Sequence, residues 1–461
     1  MRRWGLLICY ITLSQAIVLA QSTEEASVAP PPVDEAITIG LDTGIKASWN
    51  NGIYLESANG DFWLRPNGAI QYDSAFFQAN DNVMFGTNGT GAFNDGVAIR
   101  RARIQISGGF WEVYSFSTQF DLANSSSTNG SPTQSTVFNT PGFLDIWFQV
   151  SKVPVVGNIR IGNQKEWIGL EHEDSFRSLE FLERSLVFDA FIPSPFSNGR
   201  APGISFFDTH LDERLFFGIG FSKNTRNSYG FNSQDGAYAV TGRLSGLVVD
   251  ENDGQRLLLL GIAASQRDLV DGTVRYRVRS SVRGSPSPLL PRLADTGNIA
   301  GDSQSIINIE SAGVLGPLLV QAEYTAAMTS GASQRRMQAD TLFYQGWYVQ
   351  TSYLLTGETR RLLRDDFAFA RVQPLSPFAW VAGMEPCGTG AWELAARYTS
   401  LDLNNQGING GVVDNITLGV NWYLNSTAKF QWNYDYSYRR ANGGASDGAI
   451  HALGMRVHFD F

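Results

Sequence analysis

The chain has 461 residues, of which 17% are charged, 12% are aromatic and 47 are glycine, and its formal net charge is −9. This acidic balance argues against a nucleic-acid partner, because proteins that bind nucleic acid carry an excess of basic charge. Of the two cysteines, Cys9 lies in the predicted leader, so Cys387 has no partner for an internal disulfide. The high content of glycine and aromatic residues favours strands and turns over helical cores.

The N-terminus predicts export from the cytoplasm. An apolar stretch follows two arginines and ends at Val18-Leu19-Ala20, whose small residues suit cleavage. Residues 1–20 are therefore predicted to be a signal peptide, and not an uncleaved anchor, because the apolar stretch is short for a bilayer span. Residues 21–50 are polar, contain three consecutive prolines and are predicted to be a linker before a single domain, residues 51–461.

Apolar and polar residues then alternate in segments of roughly ten residues, the length that a tilted strand needs to cross a bilayer. Near the C-terminus, Ile416, Leu418 and Val420 share one face, and Asn415 and Thr417 share the other. Sixteen such segments are predicted to be strands: 61–73, 97–107, 113–122, 143–151, 157–164, 201–208, 213–222, 236–247, 254–265, 303–314, 316–328, 342–355, 391–400, 413–424, 427–439 and 449–461.

This pattern predicts an all-β fold, a 16-stranded antiparallel transmembrane β-barrel in which the last strand pairs with the first. A soluble sandwich shows the same alternation, but here large aromatic residues lie near strand ends, as in the girdles of membrane barrels. The connections alternate between short and long, and the long ones include 165–200 and 266–302. Residues 356–390 lie where this alternation calls for a short turn, but the segment is long. We therefore expect it to fold into the lumen.

Arginine supplies 30 of the 35 basic residues, and several arginines are predicted to face the lumen. Strand parity places Arg101 and Arg103 on the polar face, opposite lipid-facing Ile104, and it places Arg100 at the rim. Arg160 likewise points inward. Each of these arginines belongs either to a structural network with acids, which barrel interiors commonly contain, or to a path for anions.

The loop 266–302 carries a triplet, Arg275, Arg277 and Arg279, whose members alternate with apolar residues. In an extended segment their guanidinium groups would lie along one edge, about 7 Å apart. Two aspartates lie at the start of this loop, and we expect too few acids to neutralise the triplet. Because arginine keeps its charge and binds a tetrahedral oxyanion through two donors, the triplet predicts an anion path. The acidic residues of the loop 165–200 would weaken that selectivity.

Several motifs occur along the chain in a specific order: Gly52-Ile53-Tyr54-Leu55-Glu56-Ser57, Asp61-Phe62-Trp63-Leu64, Arg100-Arg101-Ala102-Arg103, Phe120-Asp121-Leu122, Gly169-Leu170-Glu171, Phe181-Leu182-Glu183-Arg184-Ser185, Tyr353-Leu354-Leu355-Thr356-Gly357-Glu358 and Ala391-Trp392-Glu393-Leu394-Ala395-Ala396-Arg397-Tyr398. In this order and spacing they resemble the phosphate-selective porin O and P family. The resemblance implies a trimer of sixteen-stranded barrels in the bacterial outer membrane, with the third and fifth loops and one periplasmic turn inside the pore. It also implies an arginine ladder that leads to a phosphate site.

We therefore expect a porin for passive diffusion of small anions, phosphate or polyphosphate above all. We expect its partners to be these anions, outer-membrane lipid and two further copies of the chain, and we expect no cofactor, metal or catalytic residue. The predicted pore-lining residues are Arg100, Arg101, Arg103, Asp121, Arg160, Arg275, Arg277 and Arg279.

Two alternatives stay open. A general or weakly selective porin for sugars or carboxylates would use Trp63 and Trp147, which are predicted to face the lumen and could stack on sugar rings. An outer-membrane phospholipase-type enzyme would need a nucleophile and a base that face each other. The chain has four histidines, and no arrangement of serine, histidine and aspartate emerges around them.

Overall fold

The computed structural model describes residues 44–49, 52–127, 134–192, 199–225, 230–233, 235–334, 337–378 and 388–461. The predicted signal peptide and most of the predicted linker lie outside these ranges. The end of the linker is described, and there Ile45–Trp49 forms a strand that pairs with Ile53–Ser57. This hairpin continues into the first barrel strand through the pairing of Leu55 with Leu64. Regular structure thus begins before the predicted linker ends.

Sixteen long antiparallel strands of the described residues form one closed sheet, and we number them along the chain. Their bounds are β1 Phe62–Ala79, β2 Gly96–Phe110, β3 Tyr114–Asp121, β4 Gly142–Val153, β5 Gly157–Lys165, β6 Arg200–His210, β7 Leu215–Lys223, β8 Tyr238–Glu251, β9 Arg256–Asp268, β10 Ser303–Leu315, β11 Leu318–Gln334, β12 Met337–Leu354, β13 Ala391–Asn405, β14 Ile408–Tyr423, β15 Ala428–Arg440 and β16 Gly448–Asp460. Each strand pairs with the next, and β16 pairs back to β1 with His458 opposite Gln71. The predicted all-β barrel is confirmed.

The side chains of each strand alternate between an apolar outer face and a polar lumen, the reverse of a soluble protein. On β14, Ile416 and Leu418 are 42% and 49% exposed, whereas Asn415 and Thr417 are each 1% exposed. The outer face can therefore contact lipid, while polar side chains pair with one another inside the barrel.

Some strands extend beyond their predicted ends. β1 continues past the predicted end at residue 73 as far as Ala79. Alternation is hidden there because Phe76 is exposed on the outer face while Phe77, on the inner face, packs against Phe93 of the following loop, with ring centroids 5.6 Å apart. Because Phe77 is apolar although it lies on the lumen face, the alternation of apolar and polar residues that identified the other strands is absent here.

Three connections enter the lumen. The third loop, 166–199, contains the helices Leu170–Glu173 and Leu186–Phe191, and the fifth loop, 269–302, packs beside it. The sixth turn, 355–390, enters from the opposite end of the barrel, where Phe367 packs in one apolar cluster with Trp167 of the third loop. The prediction that this segment folds into the lumen is confirmed for its described residues.

The remaining elements are short. The helix Asp81–Phe85 lies in the first loop, and the 3-10 turns are Gln134–Thr136, Val270–Gly272, Ser287–Leu289 and Asn442–Gly444. Two-stranded pairings join Ser125–Ser127 to Val137–Asn139, Thr273–Val274 to Ile299–Ala300, Arg277–Val278 to Ala294–Asp295, and Leu362–Leu363 to Ala368–Phe369. None of the helices in the described part of the chain is long and apolar enough to cross a membrane.

Candidate anion-conducting pore

A β-bulge on β2 turns two consecutive arginines toward the lumen. Gln71 of β1 lies opposite Arg101, but the next residue, Tyr72, lies opposite Ile99, so Arg100 has no residue across from it. An extra residue of this kind breaks the alternation of faces. The prediction that Arg100 lies at the rim is therefore wrong: its side chain reaches an acid inside the barrel.

That acid is Glu183 of the third loop, and several arginines share it. Arg100 Nε donates to its carboxylate at 2.8 Å, and Arg101 and Arg456 donate to it at 3.0 Å each. A guanidinium nitrogen of Arg283 lies 3.8 Å away. Although burial acts to raise it, these positive charges hold the pKa of Glu183 well below its ordinary value. Arg100 and Arg101 thus bind the third loop to the barrel wall through one carboxylate, which they share with Arg456.

The other two predicted strand arginines differ from each other. Arg103 forms a buried ion pair with Asp121 on the next strand, with 2.9 Å between Nε and Oδ2. Arg160 forms no ion pair with any described residue. It donates to the side-chain oxygen of Gln149, and its guanidinium carbon lies 4.4 Å from the ring centroid of Trp147. Arg160 therefore has no direct ion pair, whereas Arg103 and Asp121 neutralise each other.

A cavity of about 330 Å³, which we call the upper cavity, lies between the third and fifth loops. Arg275, Arg277 and Arg279 all line it, so the structure brings the predicted triplet together. Arg292 and Asp189 line the same cavity. The fifth loop thus supplies four cationic side chains to one space, and the third loop supplies an acid.

The expectation that the triplet lacks acids is wrong for two of its members. Arg275 pairs with Asp295, farther along the same loop, with 2.7 Å between Nε and Oδ1. Arg279 pairs with Asp189 at 3.2 Å. Asp189 lies 90 residues earlier in the chain, and the sequence alone gave no sign that the two loops meet. Only Arg277 of the triplet forms no ion pair with the described residues.

Arg292 is a second cation of the upper cavity that has no acidic partner, and the sequence prediction missed it. It forms no hydrogen bond or ion pair with the described residues. Burial, together with the guanidinium groups of Arg279 and Arg277, lowers the pKa of Arg292 to about 8. A bound anion would stabilise its charged form. Its place in the same arginine-rich loop was the signal that could have identified it.

A second cavity of about 260 Å³, the middle cavity, lies on the other side of the third loop. Arg160 lines it, as do Lys165 and Arg184, which the sequence prediction did not select. Lys165 Nζ donates to the backbone carbonyl of Glu173 at 2.6 Å, and Arg184 donates to two backbone carbonyls at 2.6 and 2.7 Å. These three cations form no ion pair with the described residues. The acids that also line this cavity are Asp145, Glu173, Asp174 and Asp366.

A third cavity of about 140 Å³ lies near the end of the barrel where β1 begins, and it shares Gln105 and Arg177 with the middle cavity. The third cavity therefore adjoins the middle cavity. The two tryptophans that could stack on sugar rings already contact other side chains. Arg160 lies over the ring of Trp147, and Trp63 packs on Tyr54 with 6.1 Å between ring centroids.

The family model for phosphate-selective porins O and P matches residues 69–461. The chain belongs to this family. It is a porin of the bacterial outer membrane, and not an enzyme. Porin O of Pseudomonas aeruginosa is 25% identical over 431 residues, which cover 86% of this chain and 87% of that protein. A protein of unknown function from Caulobacter vibrioides is 25% identical over 457 residues, covering 95% of this chain and 81% of that protein.

Solved structures of outer-membrane proteins are also similar. OmpF of Salmonella typhi, in complex with daunomycin, is 13% identical with a TM-score of 0.49, covering 90% of this chain and 100% of that chain. The trimer form of OmpT from Vibrio cholerae is 11% identical with a TM-score of 0.47, covering 87% of this chain and 100% of that chain.

Proposed function

We propose that this porin conducts small anions, with phosphate-type oxyanions as the preferred class, through the upper and middle cavities. One observation carries the proposal: both cavities contain cations that form no ion pair with the described residues. These cations are Arg277 and Arg292 in the upper cavity, and Arg160, Lys165 and Arg184 in the middle cavity.

The arrangement suits conduction as well as attraction. A guanidinium group offers a planar set of donors that matches two oxygens of a tetrahedral anion. Conduction needs several sites of moderate strength, because an anion that binds one deep site does not leave. Two cavities, each with a few cations that form no ion pair with the described residues and with acids nearby, meet that condition. The description of the family and the name of the P. aeruginosa relative support the phosphate class.

The acids in the middle cavity set how strong the preference is. Glu173 and Asp366 each have a buried carboxylate oxygen that accepts no hydrogen bond from the described residues. Their negative charge, when present, opposes anion entry. We therefore propose a porin that prefers anions without excluding other small solutes.

We also propose that three copies form the functional unit, as the resemblance to the family implies, with the apolar outer faces against lipid and against one another. Native mass measurement in detergent should give three times the mass of one chain. A stable monomer would contradict the trimer without touching the proposal about anions.

Planar-bilayer recording of the full-length porin tests the proposed function. We expect an anion-selective reversal potential in a potassium chloride gradient and inhibition of the chloride current by inorganic phosphate. A cation-selective reversal potential without phosphate inhibition contradicts the proposal. Inhibition by sugars, without inhibition by phosphate, would favour the general porin for uncharged solutes instead.

A further inference from the structure

Asp189 is an acid of the third loop that lines the upper cavity and binds the fifth loop directly. It lies in the helix Leu186–Phe191 of the third loop. Its Oδ1 accepts a hydrogen bond from Arg279 at 3.2 Å and lies 3.4 Å from a guanidinium nitrogen of Arg283. Its Oδ2 accepts the backbone N–H of Arg279 at 2.9 Å. One carboxylate thus holds donors from two arginines and a backbone amide of the fifth loop.

These donors are of the kind that an oxyanion would use. Arg279 lines the upper cavity beside Arg277 and Arg292, which have no acidic partner in the described part of the chain. Although burial acts to raise it, the guanidinium groups of Arg283 and Arg279 lower the pKa of Asp189 to about 2. Its charge is therefore present at every physiological pH. A permeating anion would meet a carboxylate that already binds Arg279, which lines the cavity, and Arg283.

We propose that Asp189 determines the specificity of this porin: as an anion tethered to the third loop, it occupies Arg279 and Arg283 and so keeps the affinity of the upper cavity moderate. The inference rests on the proposed function, because it assumes that anions pass through this cavity. Without Asp189, Arg277, Arg279 and Arg292 would line the upper cavity with no ion pair to a described residue. An oxyanion bound there would be held tightly and would leave slowly.

The test is Asp189→Asn in the full-length porin, recorded in planar bilayers with chloride as the charge carrier and inorganic phosphate as the inhibitor. We expect the phosphate concentration for half-inhibition to fall by about tenfold, because an adjacent negative charge is removed from a site screened by protein. The ratio of chloride to potassium permeability should rise. Asp189→Glu, which keeps the charge, should stay within about twofold of the wild type.

Asp295→Asn is the matched control, because it removes the same charge from the pair with Arg275, whose side chain is 41% exposed. Solvent screening there should limit the change in half-inhibition to about twofold. An equal change in both variants overturns the inference, as does an unchanged Asp189→Asn variant. A larger conductance with weaker selectivity also overturns it, because it would show that Asp189 only holds the third loop in place. Failure of the proposed function is seen separately, in a wild-type porin that phosphate does not inhibit.

Discussion

Two arginines of the barrel strands, Arg101 and Arg456, and two arginines of the fifth loop, Arg277 and Arg292, have the same chemistry but opposite surroundings. Arg101 and Arg456, on strands, are buried against acids of the lumen, and Arg456 contacts both Asp73 and Glu183. Arg277 and Arg292, in the fifth loop, line a cavity and form no ion pair with the described residues. We propose that the first group stabilises the structure and that the second attracts anions.

The difference shows that neither the residue type nor the lumen position determines the role of an arginine. A strand fixes the height and direction of a side chain, so that an acid on a neighbouring strand or on a packed loop can meet it with good geometry. A buried charge requires such a partner. The fifth loop borders a cavity of about 330 Å³, where solvent or a passing anion can meet an unpaired charge.

Removal of a strand arginine should have the largest effect, and that effect should be on stability. Arg456→Ala leaves the carboxylate of Asp73 buried without its arginine and removes one of the arginines that bind Glu183, so we expect a loss of about 3–5 kcal/mol in the free energy of unfolding. The control is Arg256→Ala, whose ion pair with Glu251 is exposed, and its loss should stay below about 1 kcal/mol. Urea unfolding in detergent measures both. Equal losses would contradict the stabilising role of the buried ion pairs.

The pH should change selectivity by a smaller amount, through acids of the middle cavity. Burial raises the pKa of Glu173 above its ordinary value of 4.5, and burial raises the pKa of Asp366 as well. The charged groups that face Glu173 are Lys165, Arg243, Arg160 and Asp366. As the pH rises, these carboxyl groups ionise and add negative charge beside the cations that attract anions.

We therefore expect the ratio of chloride to potassium permeability to fall two- to threefold between about pH 5 and pH 8. The free energy of unfolding should also fall as the pH rises. The reason is that Glu173 stays protonated in the folded state at pH values where it has already lost its proton in the unfolded state, above about pH 4.5. Glu173→Gln should flatten the profile of permeability against pH. A profile that rises with pH, or one that Glu173→Gln leaves unchanged, contradicts this role.

Arg275→Ala should have the smallest effect of the loop variants. Its charge is shared with Asp295, and its side chain is partly exposed at the edge of the upper cavity. We expect half-inhibition by phosphate to change by less than about twofold. A change as large as that from loss of Arg277 would mean that the ion pair opens during conduction.

Most of the barrel could be predicted from the sequence, because alternation and aromatic strand ends are local signals. The inward direction of Arg101, Arg103 and Arg160 follows from the same parity. The role of each arginine could not be predicted, since it depends on acids brought near by loops, such as Asp189 from the third loop. The bulge at Arg100 also depends on the register with β1, and no local pattern encodes it.

The central claim is that cations without an ion pair, such as Arg277 and Arg292, and not the ion-paired strand arginines, give the pore its selectivity. The most direct test is the reversal potential of the double variant Arg277→Ala, Arg292→Ala beside the wild type in a potassium chloride gradient. We predict that the wild type is anion-selective, that the double variant shifts toward zero potential, and that its stability is unchanged. A cation-selective wild type, or a double variant with the wild-type potential, would contradict the claim.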